Sequence, residues 1–232
     1  MANIWMVRAG ERAAYVDDFI NESIVAIGWD LGPAIINATK SELDQQYRTN
    51  WPDARDGQVR NVVGQIDTFL HKISSGDLVL THDRQQRQYI LGDIQGPAAY
   101  RAELDPDLRV VRPVKWTRKV HRDSLSVEAR NTLGAIQTIF QVRGTVASEV
   151  QAKSVPLDDK EVQTSQSAVE SETSRPSLKD IEQQWRNELL EKAEEAIEDR
   201  LVSLSWDEMQ ELVAGILRAM GYKTNISPIG PD

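Results

Sequence analysis

Residues 77–94 read DLVLTHDRQQRQYILGDI. Asp77–Thr81 (DLVLT) and Gln88–Ile94 (QYILGDI) are short runs rich in Leu, Val, Ile and Tyr, and the polar HDRQQR lies between them. Two such runs around a short polar segment predict a β-hairpin. Asp83 suits the turn, because its carboxylate can bond its own backbone two residues on. An antiparallel pair at the centre of the sequence excludes an all-parallel βαβ sheet and predicts an α+β class.

Outward from the hairpin, strands are expected at Asn3–Arg8 (NIWMVR) and Ile24–Trp29 (IVAIGW), which are β-branched and aromatic. Val110–Val120 (VVRPVKWTRKV) reads as an extended segment, with Pro113 marking an edge or a bulge. Ile136–Val142 (IQTIFQV) reads as a last strand. Between them, residues 11–21 suit a helix, with Ala14, Tyr15, Asp18 and Phe19 at helical spacing. Ser41–Asp44 (SELD) opens a second helix in the manner of a capping box. Residues 57–73 form the clearest helix: Val59, Val62, Val63, Ile66, Phe69, Leu70 and Ile73 make one apolar stripe, and Gly76 follows as a stop. Glu128–Leu133 is a short helix. Five or six strands with interspersed short helices predict a small mixed β-barrel over residues 1–144.

Residues 145–176 are rich in Ser, Thr, Gln, Glu and Val and have no aromatic residue. Such a segment buries too little apolar surface to offset its ordering entropy, so a flexible linker is expected. A helical tail follows. Residues 177–204 are expected to be one long acidic helix with an apolar seam at Leu178, Ile181, Trp185, Leu189, Ala193, Ile197 and Leu201, serving as a spacer or as a homodimerising arm. Ser205 and Glu208 form a capping box for a second helix, expected to bury Met209, Leu212, Val213, Ile216, Leu217 and Met220 and to stop at Gly221. Tyr222–Ile226 reads as a strand. A lone strand is not stable by itself, so residues 205–232 are expected to begin a further, longer domain.

The chain has 232 residues and a net charge of −9. The charge is uneven. Residues 1–145 carry 18 of the 27 Lys and Arg and 18 of the 36 Asp and Glu, leaving 9 basic against 18 acidic residues for the rest. The acidic balance therefore belongs to the linker and tail, and a local basic face in the front domain remains compatible with nucleic acid. There are no cysteines, which excludes disulfides and thiolate metal sites. No apolar run is long enough for a membrane span, and the N-terminus lacks a secretory layout, so a cytoplasmic protein without a membrane partner is expected. His71, His82 and His121 are too scattered for a metal centre. No GxxxxGK[ST], GxGxxG or GxSxG motif occurs.

The only basic concentration visible along the chain is Arg109–Arg122 (RVVRPVKWTRKVHR), with Arg112, Lys115, Arg118 and Lys119 around Trp116 and no acidic residue. Alternating cations on a strand suit a phosphate backbone; they equally suit a solvated edge guarded against aggregation. Arg8 could meet a phosphate or an internal carboxylate, and Gly10 permits a tight turn or close backbone approach. Gln65, Asn131 and Thr132 offer hydrogen-bonding groups suited to a base edge or, equally, to a cap or a buried structural bond.

The run WDEMQELVAGILRAMGYKTNISPIGPD (206–232) resembles the opening of the catalytic domain of Mrr-like, modification-dependent restriction endonucleases. The segments IWMVRAGERAAYVDDF, IVAIGW, VGQIDTF, DLVLTHD, RPVKW and ARNTLG, in that order, resemble the N-terminal module of the same proteins, which is similar to PUA-like and EVE-like barrels. The resemblance implies a domain that binds double-stranded DNA, with Trp29 stacking on an extruded, modified base such as a methylated cytosine. It implies a Mg²⁺-dependent phosphodiesterase whose acidic and Lys residues lie beyond Asp232, so no cofactor is expected within residues 1–232. The competing expectation is a regulatory module that senses a nucleotide or another signal in antiviral defence.

Overall fold

The computed structural model describes residues 2–157 and 178–226. The chain divides into two compact units, Met1–Glu188 and Leu189–Asp232. The front unit is α+β, with an eight-stranded, curled, half-barrel sheet and short helices.

Its strands are β1 (Ile4–Val7), β2 (Ile24–Ile27), β3 (Leu78–Asp83), β4 (Gln88–Ile94), β5 (Ala99–Tyr100), β6 (Val110–His121), β7 (Ile139–Val142) and β8 (Val155–Pro156). The order is β2-β6-β4-β3-β1-β7, with β5 and β8 also paired to β6. Among the described residues only β1 and β3 run parallel; the other pairs are antiparallel. The expected hairpin is β3–β4, in register from Leu78–Asp93 to Asp83–Gln88. Its loop is shorter than the sequence suggests: His82 and Asp83 belong to β3, and only Arg84–Arg87 turn. The two-residue strands β5 and β8 leave no pattern long enough to read.

The twelve-residue strand β6 curls the sheet. Its first half pairs with β2 and β5, and its second half with β4 and β8. Pro113 sits at the changeover, where its carbonyl accepts from Gln95 N at 2.8 Å. The bulge lies just beyond, where Leu91 and Gly92 face Arg118 and Trp116. A Cβ on Gly92 would overlap the Val114 side chain and sit 2.8 Å from Trp116 Cε3 and 2.9 Å from the Lys115 carbonyl oxygen. Only glycine allows the strands to approach that closely.

Side chains alternate across the sheet, so each face has its own core. One face carries Trp5, Val79, Ile90 and Val114 against α1 (Val16–Asn21), α2 (Lys40–Asn50) and α3 (Asp56–Asp67). The other carries Met6, Leu80, Tyr89, Leu91 and Val120 against α4 (Val127–Leu133) and α5 (Gly144–Lys153). The residue 57–73 stripe is buried as expected, although its last turn, Thr68–Lys72, loosens to a π turn. The helix expected over residues 11–21 is broken into a 3₁₀ turn and α1, because Arg12 and Ala13 take positive φ. The capping box of α2 is Thr39 with Glu42, two residues before the expected one.

The linker expected from residue 145 is structured over its first part. Val146 and Val150, four residues apart on α5, enter the second core, and β8 adds to β6. Lys153 Nζ donates to Glu149 and to the Ser124 carbonyl. Two buried valines at helical spacing outweigh a polar average composition. Residues 158–176 lie outside the described residues.

In the second unit, α6 (Leu178–Val202) ends and α7 (Trp206–Ala219) begins at the expected Ser205–Glu208 capping box, with Glu208 N donating to Ser205 Oγ at 3.3 Å and Ser205 N to Glu208 at 2.8 Å. The side chains of Leu178, Ile181 and Trp185, part of the expected seam, lie outside the described residues. Two expectations fail here. Tyr222–Ile226 forms no strand. Met209, Leu212, Val213, Ile216, Leu217 and Met220 are 36–67% exposed rather than buried. Both failures share a cause: among the described residues of this unit no sheet forms to pair the strand or to receive the helix stripe. The Gly-Pro-Asp loop at 230–232 lies outside the described residues.

Candidate nucleic-acid interface

The end of the sheet at the β3–β4 turn gathers residues from four strands on the α4 side. Period-2 alternation puts Arg8 after Met6, His82 after Leu80, Tyr89 before Leu91 and Arg122 after Val120. His82 stacks on Tyr89 with ring centroids 4.6 Å apart. Arg122 is 4% exposed, and its Nη1 donates to the Tyr89 hydroxyl at 2.6 Å. Arg8 reaches across to the turn after α4, where its Nη2 donates to the Ala135 carbonyl at 2.7 Å. The turn adds Arg84 and Arg87, and Arg87 is held by Asp123 at 2.6 and 3.3 Å. Burial, and then the positive charges of Arg122, Arg8, Arg84 and Arg87, pull His82 down to about 3. The ring is therefore neutral at neutral pH, next to four guanidinium charges.

The opposite face of the same strand ends is also polar. Thr81, Asp83, Gln88 and Lys119 are all buried. Gln88 Nε2 donates to Asp83 at 3.2 Å and to Gln86 at 2.9 Å. Buried polar groups are retained at a cost, so their concentration at one end of the sheet marks it off from the two apolar cores.

Of the sequence-derived candidates, the structure brings Arg8, Asn131 and Thr132 to this end. Asn131 and Thr132 are exposed in the last turn of α4, one turn from the carbonyl that Arg8 holds. The others go elsewhere. Gln65 is buried, and its Oε1 accepts from Ile139 N at 2.9 Å, tying α3 to β7. The bland reading, a buried structural bond, holds for it. Arg112 is 3% exposed and donates to the carbonyls of Phe69, Leu70 and Gly96 at 2.6–3.0 Å, closing the end of the helix that α3 begins. Its guanidinium is thus committed inside the fold and is not offered to a phosphate. Lys119 is buried, Lys115 exposed and Arg118 half-buried, so β6 presents no continuous basic rail. Trp116 packs on the first core, and its Nε1 donates to the Phe19 carbonyl at 2.8 Å. Trp29 is half-buried against that core, beside Asp30, which accepts from Tyr100 and Arg109 at 3.1 Å each. Gly10 has φ +75, and a Cβ there would lie 2.6 Å from Tyr15, so its role is a tight turn against that ring.

His82, Arg84, Arg87 and Tyr89 were not singled out from the sequence as binding residues, and Arg122 entered only as the last cation of the basic stretch 109–122. Four of them lie within residues 82–89 and only Arg122 is distant; the signal that unites them is strand pairing, because once β3, β4 and β6 are aligned, alternation places His82, Tyr89 and Arg122 side by side.

The fold and this polar sheet end define a small α+β domain with an arginine-lined rim. A family model described as "Domain of unknown function (DUF8426)" matches residues 5–143, more than half of the chain. The chain belongs to that family. No curated protein and no solved structure matches it.

Proposed function

We propose that this chain is the DNA-recognition part of a restriction system. In this reading the front unit binds double-stranded DNA carrying a modified base, such as a methylated cytosine, and directs an attached Mg²⁺-dependent endonuclease of the Mrr-like kind. The observation that carries it is the convergence of Arg8, Arg84, Arg87 and Arg122 on the His82–Tyr89 stack, in a domain of zero net charge. Guanidinium groups beside stacked rings suit phosphates and bases. The sequence resemblance to the PUA-like and EVE-like reader modules supports the same reading, with the half-buried Trp29 as the stacking candidate.

Among the described residues no three His, Asp or Glu side chains come together to hold a metal ion, and no cleavage step is assigned to them. In this proposal the metal serves the attached nuclease, where it would activate water. Among the described residues no helix is long and apolar enough to cross a membrane. A cytoplasmic setting follows from the proposed role. Pairing of α6 with a second copy would use its exposed Leu189, Leu190 and Ile197.

Fluorescence anisotropy with methylated and unmodified duplexes of one sequence tests the proposal. Tighter binding of the methylated duplex is expected, with affinity falling as salt rises. Equal affinity for both removes the modified-base claim. Strong thermal stabilisation by a nucleotide, without any duplex binding, would favour the signal-sensing alternative.

A further inference from the structure

We draw no further inference here: the strongest candidate, the exposed apolar stripe of α7 together with the groove that the end of α6 and the start of α7 line, carries none because nothing among the described residues shows what covers it.

Discussion

Strand β6 and helix α7 carry two of the plainest patterns in the sequence, and the fold treats them in opposite ways. β6 reads as a run of cations suited to a surface, yet Arg112 and Lys119 are buried. α7 reads as a core helix, yet its apolar stripe stands exposed. The difference lies in partners. β6 pairs with β2, β4, β5 and β8, so much of it is covered, and Arg112 on it is drawn to the interior carbonyls of Phe69, Leu70 and Gly96. Within its own unit α7 buries only Ala214. A residue's polarity states what it needs; the neighbouring elements decide whether that need is met by water or by protein.

The largest effect is expected at β6. Gly92→Ala should cost about 3 kcal/mol in urea denaturation, because the added methyl has no room between β4 and β6. A cost below about 1 kcal/mol would mean that the bulge gives way easily. Next, Arg112→Met should cost about 2 kcal/mol by leaving three carbonyls without their donor, while duplex affinity stays within about twofold. A folded variant that loses DNA binding would return Arg112 to the interface.

Asp77 is the acidic counterpart in the same unit. It accepts from Trp5 Nε1, Asn3 N, Asn3 Nδ2 and Ser74 N. Burial pushes its carboxyl up, but these donors together hold it below the usual value. A carboxylate with a lowered folded value adds stability above its unfolded pKa of about 3.9, and that stability is lost as pH falls through the folded value. Asp77→Asn should therefore cost about 1 kcal/mol at pH 7, and the gap should close towards pH 3. A gap that is constant with pH would mean the charge does not matter.

The smallest effect is expected on α7. Ile216→Ala should change stability by less than about 0.5 kcal/mol, since the side chain is 52% exposed. A cost above about 2 kcal/mol would show that the stripe is covered in solution and would erase the contrast with β6.

Much of the fold was legible because its signals are local. The β3–β4 hairpin, the Val59–Ile73 stripe and the Ser205–Glu208 capping box each depend on residues within about twenty positions of one another. The losses were of two kinds. Short elements such as β5 and β8 carry too few residues to show a period. The break after Gly10 depends on Arg12 and Ala13 holding left-handed backbone, which neither residue type announces. The candidate site was less legible. Arg8 was readable as a possible phosphate contact, and Asn131 and Thr132 as polar groups before a glycine. The basic stretch 109–122 pointed to one strand, whereas the cations that cluster come from β1, the β3–β4 turn and the end of β6.

Sequence alone was enough for the β3–β4 hairpin, the Val59–Ile73 stripe, the Ser205–Glu208 cap and the acidic charge after residue 145. Periodicity and capping act over a few residues, so the chain's own order reveals them. Only the tertiary structure decided that Arg112 serves backbone carbonyls, that Val146 and Val150 complete a core, and that Arg8, His82, Tyr89 and Arg122 share one end of a sheet. Those outcomes depend on tertiary contacts, among them the strand register that joins β1 to residues 74 and more positions away and fixes which face each side chain occupies.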